Sequence, residues 1–241
     1  MRITAYSYTN QGGREHNEDS VRCASGEAGS IFLLADGLGG HGCGEVASRM
    51  AVDSIYEGCT TLKTASAEML LTLMNDANNR ILNAQSSPEQ SDMRTTAVAL
   101  HIADQRAAWA YAGDSRLYHF SGGQIAHVTK DHSVTYRKYM GGEISYMDIY
   151  HDDDRTRLMR VLGKENCRPE GEETEVVPGD AFLLCSDGFW EYVYDEEILI
   201  DFLKSESPAQ WARNMLLRHI RRAAPGNDNF SLITVFVEEE T

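Results

Sequence analysis

Basic residues are scarce in this 241-residue chain: 22 Lys and Arg stand against 37 Asp and Glu, a net charge of −15. So acidic a surface is a poor partner for nucleic-acid backbones and anionic membranes. Cysteine is sparse and odd in number. Cys23, Cys43, Cys59, Cys167 and Cys185 include no C-x-x-C pair, which argues against a disulfide framework or a zinc site, fits a reducing cytoplasm, and leaves each as a small buried hydrophobe. Only five prolines occur, and no repeat, low-complexity tract or Pro/Ser-rich linker divides the chain, so one compact domain over 1–241 is expected. No apolar run approaches the ~18 residues of a membrane span. The opening "MRITAYSYTNQGG" lacks an apolar signal core, so a cytoplasmic protein is expected. What remains is an ordinary globular composition, 42% apolar and 24% charged. A chain of this size buries roughly 70–75% of its unfolded surface.

Period-2 or continuous apolar patterns predict strands at 2–9, 19–24, 30–36, 95–102, 107–114, 116–120, 124–128, 180–188 and 229–238. The Gly-Gly at 122–123 marks a hairpin turn. Helical spacing predicts helices from Gly44, with Val46, Met50, Ile55 and Cys59 on its apolar face, and at 66–87, 195–204 and 208–223; Pro88 lies beyond the second. Residues 139–157, with a Gly pair and the acidic triplet Asp152 to Asp154, show no sustained period and read as an irregular flap with a solvated loop. Strands arrive in consecutive runs rather than in βαβ alternation. The fold class expected is α+β, with antiparallel sheets and helices packed outside them.

The informative pattern is where the carboxylates fall. Asp36 ends "IFLLAD" and Asp187 ends "FLLCSD", each followed by glycine. Asp114 closes "AWAYAGD", Asp228 lies in "GNDN" just before the last strand, and Glu18 and Asp19 open the second strand. In antiparallel sheets the start of one strand neighbours the end of the next, so six acids can converge on one edge. Carboxylates gathered without counter-charge repel or protonate. Hard divalent cations relieve that, and Mg²⁺ or Mn²⁺ prefer such oxygen ligands. A competing reading takes Gly37, Gly39 and Gly42 as G-x-G-x-x-G, a dinucleotide fingerprint. It would set Asp36 beside an anionic pyrophosphate and needs a parallel strand ending in an acid about 20 residues on; that region reads as helix. The glycines instead leave room for metals and open the following helix.

Seven motifs in order, "REHNEDS" (14–20), "ADGLGGHG" (35–42), "TTAVAL" (95–100), "AGDSRLY" (112–118), "TKDHS" (129–133), "LLCSDG" (183–188) and "NDN" (227–229), make the chain resemble the metal-dependent protein phosphatases, the PPM or type 2C serine/threonine family, in its bacterial branch. The resemblance covers nearly the whole chain. It implies a four-layer sandwich, two antiparallel β-sheets flanked by helices on both sides. It implies that Asp36 bridges two divalent cations, Mn²⁺ or Mg²⁺, with the Gly37 carbonyl on one and Asp187 and Asp228 completing the second site. Glu18 and Asp19 would ligate directly or through water, and Asp114 with Asp187 would hold a third, weaker metal. Arg14 would grip the substrate phosphate, its planar fork suiting bidentate contact. Asp36, Asp187 and Arg14 would thus serve catalysis, an attack of metal-activated water on phosphoserine or phosphothreonine. No phosphoenzyme is implied, so Cys185 and Ser186 are not nucleophiles.

The chain departs from the family at two places. Leu38 stands where many eukaryotic relatives carry His, and nearby His41 reads as a surface histidine. Ser231 replaces the usual Thr, with little consequence expected. Asp131 and His132 read as structural, and Arg218, Arg221 and Arg222 as cations offsetting a helix dipole. Expected partners are phosphorylated proteins and a cognate Ser/Thr kinase, with the chain a monomer. "CSDGFWEYV" and "GNDNFSLI" resemble phosphatases of type VI secretion clusters. Two rivals compete: a silent, phosphatase-like scaffold, which the presence of Arg14 and every matched carboxylate opposes, and a two-metal nuclease, which the net charge opposes.

Overall fold

The computed structural model describes residues 1–38, 43–86 and 90–240. Its elements run β1 (Arg2–Asn10), β2 (Asp19–Gly26), β3 (Gly29–Leu38), α1 (Cys43–Cys59), α2 (Ala67–Ala84), β4 (Arg94–Thr95), β5 (Ala97–Ala103), β6 (Arg106–Ala112), β7 (Arg116–Ser121) and β8 (Gln124–Val128). There follow α3 (Val134–Met140), a 3₁₀ turn (Tyr146–Tyr150), β9 (Glu170–Glu175), β10 (Ala181–Cys185), α4 (Asp187–Trp190), α5 (Asp195–Leu203), α6 (Pro208–Arg222) and β11 (Phe230–Glu238). One sheet has the order β1-β11-β10-β7-β8 and the other β2-β3-β5-β6-β9, with the short β4 pairing the end of β3. Every pairing is antiparallel. That removes the parallel βαβ frame on which a dinucleotide fingerprint depends.

The continuous apolar runs follow from burial on both faces. On β3, Phe32 and Leu34 enter the core between the sheets, while Ile31, Leu33 and Ala35 face α1 and α2. On β10, Phe182 and Leu184 point between the sheets, whereas Leu183 and Cys185 face the opposite helical layer around Trp211 and Met215. The result is four layers, helix–sheet–sheet–helix. Burying one such large side chain stabilises the fold by about 1.5–3 kcal/mol.

Several local details differ from the sequence pattern. The buried face of α1 is Ala47, Ala51, Val52, Ile55 and Cys59, and Val46 is 45% exposed. Alanines on β5 and β6 (Ala97, Ala99, Ala108, Ala110) share that cluster with Ile31, Leu33 and Ile55, so small side chains let the helices approach the sheet between the large ones. Gly122 and Gly123 both have positive φ, +58° and +76°, as a tight hairpin between Ser121 and Gln124 requires. The segment 134–157 contains α3 and the 3₁₀ turn. Asp152 and Asp154, expected in solvent, both pair with Lys138 Nζ, at 2.9 and 2.8 Å. On α6, Ser207 Oγ accepts from Gln210 N–H and Pro208 takes the first helical position. At its other end Arg218 chelates Asp201 and reaches Glu197, and Arg222 also pairs with Glu197. These cations tie α6 to α5 besides offsetting its dipole. Pro88 and His41 lie outside the described residues, as do Gly39 and Gly42.

Candidate active site

The strand ends meet where the topology requires. Asp19 and Asp36 are direct register partners at the start of β2 and the end of β3. Arg116 and Cys185 are partners across β7 and β10, as are Cys185 and Leu232 across β10 and β11. Asp114, Asp187 and Asp228, each two residues beyond a strand terminus, therefore cluster at the same end of the other sheet. Seven of the eight expected site residues, Arg14, Glu18, Asp36, Gly37, Asp114, Asp187 and Asp228, line one cleft of about 820 Å³. Leu38, Thr156 and Leu158 contribute to its wall. The eighth, Asp19, is buried and interacts electrostatically with Asp36, Asp187 and Asp228.

Two glycines permit this convergence. A Cβ on Gly37 would lie 2.2 Å from the Gly44 carbonyl oxygen, and a Cβ on Gly44 would lie 2.8 Å from the Glu18 carboxyl. The end of β3, the first turn of α1 and Glu18 can touch only without those side chains. Backbone bonds fix the same corner: Gly37 N–H donates to the Glu18 carbonyl at 3.2 Å. Thr95 Oγ1 donates to the Asp36 carbonyl at 2.8 Å, and Asp36 N–H donates to Thr96 Oγ1 at 3.0 Å.

Electrostatics set the character of the cluster. Burial pushes the Asp36 carboxyl well above the usual carboxylate range, and repulsion from Asp187, Asp19 and Asp114 adds to it. Asp36 and Asp187 share a hydrogen bond that favours the proton on Asp36 and charge on Asp187. Asp187 is nonetheless raised, by burial and by Asp228. Asp114 is raised by burial, Asp187 and Asp131, and Glu18 by burial, Asp228 and Glu45. Burial lifts Asp19 to about 7, against hydrogen bonds from Ser231 and Ser186. Arg14, at the mouth, is in an ion pair with Asp228 at 2.9 Å, both side chains about half exposed.

These residues fit divalent cations. The donor set is all oxygen, it carries more charge than it can hold ionised, and Asp19 Oδ1 is a buried oxygen with no hydrogen-bond partner. Among the described residues no three His, Cys, Asp or Glu side chains close into a ready-made ligand group.

Sequence reasoning missed the residues that hold these carboxylates. Ser186 Oγ and Ser231 Oγ both donate to Asp19 Oδ2, at 3.0 and 2.6 Å, so Ser231 has a definite task. Asn229 accepts from Glu18 N–H at 2.8 Å and donates to the Gln11 and His16 carbonyls. Arg116, fully buried, chelates Asp131 at 2.9 and 2.7 Å and stacks 3.6 Å over Trp190, whose indole N–H donates to the Asp114 carbonyl at 2.9 Å. His132 Nδ1 accepts from Gly113 N–H at 3.2 Å. Asp131 and His132 thus support the Gly113–Asp114 turn. The only signal available was adjacency: Ser186, Asn229 and Arg116 lie inside the quoted motifs, next to or near an aspartate.

Comparison with known proteins agrees with this arrangement. A family model described as protein phosphatase 2C matches residues 10–216. The serine/threonine phosphatase stp of Listeria welshimeri is 33% identical over 232 residues, covering 92% of this chain and 90% of that protein. The serine/threonine protein phosphatase PstP of Mycobacterium tuberculosis is 31% identical over 216 residues, 89% of this chain but 41% of the relative, so this chain spans less than half of that protein. A structure of the PstP catalytic domain in complex with two manganese ions superposes with a TM-score of 0.86 at 28% identity, covering 98% of this chain and 99% of that one. PppA, described as a key regulatory component of the T6SS in Pseudomonas aeruginosa, superposes with a TM-score of 0.81 at 28% identity and 98% coverage of each chain. With its sandwich of antiparallel sheets and its acidic cleft at the strand ends, the chain belongs to the protein phosphatase 2C family.

Proposed function

We propose that this chain is a serine/threonine protein phosphatase that hydrolyses phosphoserine and phosphothreonine in proteins. The observation that carries the reading is the convergence of Asp36, Asp114, Asp187 and Asp228 from both sheets, beside Arg14 in one cleft, with Asp19 buried against them. Divalent cations, when bound, supply the charge that stabilises these carboxylates and the Lewis acidity that activates water against phosphorus. Asp36, Asp187, Asp228 and the Gly37 carbonyl are the proposed ligands of two such ions, Mn²⁺ or Mg²⁺, with Glu18 and Asp19 ligating directly or through water. Asp114 and Asp187 are proposed to hold a third, weaker one.

The chain's own residues do the rest. Asp36 and Asp187, buried side by side at the floor of the cleft, would both ligate in their ionised form. Ser186 and Ser231 orient Asp19 with its Oδ1 unpartnered. Arg14 exchanges Asp228 for the substrate phosphate, whose negative oxygens its guanidinium can take in pairs. Leu38 lines the cleft where some relatives carry His and has no proton to give.

The proposal extends to a phosphatase domain over residues 1–241 with a flap at 139–157, acting as a cytoplasmic monomer against a cognate Ser/Thr kinase. Among the described residues no helix is long and apolar enough to cross a membrane. A type VI secretion setting, the context printed for PppA, is one signalling context this proposal includes, and the likeness to PppA is its support. The test is phosphate release from a phosphothreonine peptide with and without Mn²⁺, with Asp187→Asn as control. Release that needs Mn²⁺ and vanishes in the variant is expected. Mn²⁺ binding by calorimetry with no turnover of any phosphopeptide would replace the enzyme by a phosphoprotein-binding scaffold.

A further inference from the structure

The segment between Ser133 and Leu158 leaves the sandwich and returns at a closed neck. Ser133 and Leu158 form an antiparallel bridge, Val134 N–H donates to the Arg157 carbonyl at 2.9 Å, and Met159 N–H donates to the His132 carbonyl at 2.8 Å. Inside it, Lys138 gathers Asp152 and Asp154. A neck and an internal staple fold the segment onto itself but do not fix where it lies against the body.

Ile149 and Tyr150 pack into the apolar cluster around Trp190, and one carboxylate gathers the polar ties. Asp195, the first residue of α5, accepts three tyrosine hydroxyls: Tyr146 at 2.7 Å, Tyr150 at 3.1 Å and Tyr118 at 2.9 Å. Tyr146 and Tyr150 belong to the 3₁₀ turn of the excursion, while Tyr118 belongs to β7 in the sandwich. Burial raises all three phenols above their ordinary value, so they remain donors at neutral pH. Tyr118 in turn accepts from Arg116 at 3.3 Å, the guanidinium that stacks on Trp190. Flap, sandwich and the Asp114 turn are thereby joined through Asp195. Arg155 adds a second tie, its Nε donating to Glu191 at 2.9 Å.

The clamp borders on the place where substrate would lie. Thr156 and Leu158 line the acidic cleft. A second groove of about 360 Å³ is walled on the flap side by Tyr150, His151 and Arg155, and on the body side by Glu191, Tyr194 and Arg222; Arg155 directly precedes Thr156 in the chain, and Glu191 feels the charges of Asp187 and Asp228, which sets this groove close to the cleft. Its width depends on how the flap is held. A phosphate group needs only the cleft, but the residues flanking it in a protein need the groove as well.

We propose that Asp195 is a positioning residue for substrate specificity: by gathering Tyr118, Tyr146 and Tyr150 it fixes the groove that receives the peptide residues flanking the phosphorylated side chain. This rests on the phosphatase reading above. The test compares Asp195→Asn and Tyr146→Phe with wild type on a phosphothreonine peptide and on p-nitrophenyl phosphate. Trypsin cleavage at Lys138, Arg155 and Arg157 is followed by mass spectrometry. Tyr146→Phe removes one hydroxyl and keeps the ring, so it serves should Asp195→Asn fail to fold. A rise of about fivefold or more in peptide KM is expected with kcat retained, the signature of lost binding common to ground and transition states. Turnover of p-nitrophenyl phosphate should change less than about twofold, and cleavage within 134–158 should quicken. Equal losses on both substrates, or unchanged peptide KM and cleavage, would overturn the proposal. If wild type hydrolyses neither substrate, the phosphatase reading fails and the cleavage rates alone decide whether Asp195 holds the flap.

Discussion

Asp19 shows how a single side chain can be set against the stability of its own fold. It is buried, held by two serine hydroxyls, and has a carboxyl lifted to about 7 from 3.8. A group whose folded pKa is raised contributes stability in full below its unfolded value, and that contribution is lost as pH rises through the folded value. In metal-free protein the stability tied to protonated Asp19 is therefore lost progressively between about pH 4 and pH 7, and above that the ionised carboxyl opposes folding in full. Asp19→Asn, nearly isosteric and unable to ionise, should raise the Tm of EDTA-treated protein at pH 8 by roughly 5 °C, at the 2–4 °C per kcal/mol expected for this size. The gain should fade towards pH 4, and the Tm rise that Mn²⁺ gives wild type should largely disappear. A variant less stable than wild type at pH 8 without metal would mean that Asp19 is structural. The sequence marked Asp19 through its place at a strand start, but that Ser231 on β11 and Ser186 just beyond β10 reach it is recorded in no local pattern.

Elements were legible to the degree that burial alone shapes them. The central strands follow from continuous apolar runs buried on both faces, and the four long helices from an apolar face whose period matches the helix. β9, "EGEETE", was illegible: it is acidic, largely exposed and extended because it pairs with β6. Its conformation is imposed by a partner rather than by intrinsic preference. α3 and the 3₁₀ turn are short pieces whose geometry depends on Ser133, Lys138 and Asp195, which no local period records. The meeting of β3 and α1 belongs to this scale too. Gly44→Ala would place a Cβ against the Glu18 carboxyl without harming helix propensity. The variant should keep its far-UV circular dichroism and lose roughly tenfold or more in Mn²⁺ affinity, the usual cost of disturbing support around a metal site. Unchanged affinity by calorimetry would show that the corner yields without moving Glu18.

For the whole molecule, charge and pH matter most. Burial pushes His119, His127, His132 and His219 below their ordinary value of 6.5. Such groups charge more readily when unfolded, so stability falls as pH drops below about 6.5. Protonation of the carboxylates proposed as ligands acts in the same direction when Mn²⁺ is bound there, because cation and proton compete for the same oxygens. Without metal the carboxylates act in the opposite direction, since their raised values favour the folded state at low pH. The Tm of Mn²⁺-saturated protein should therefore fall clearly between pH 7.5 and pH 5.5, and that of EDTA-treated protein should vary less. Parallel profiles in thermal denaturation would contradict an ion bound by this cluster.

The sequence alone was enough to show the layers and to bring Glu18, Asp36, Asp114, Asp187 and Asp228 to one edge, but not Glu15 and Glu45, which also line the cleft. Hydrophobic periodicity dictates which faces are buried, and carboxylates at strand termini mark an edge where antiparallel neighbours must meet. Tertiary structure alone decided how those carboxylates are held: which serine supports Asp19, which corner Gly37 and Gly44 close, and that Arg116 joins Asp131 to Trp190. It also decided that Asp195 gathers tyrosines from segments 77, 49 and 45 residues away. Those contacts lie between chain segments remote in sequence. They depend on the directions of individual side chains, which periodicity does not encode and only the packed fold supplies.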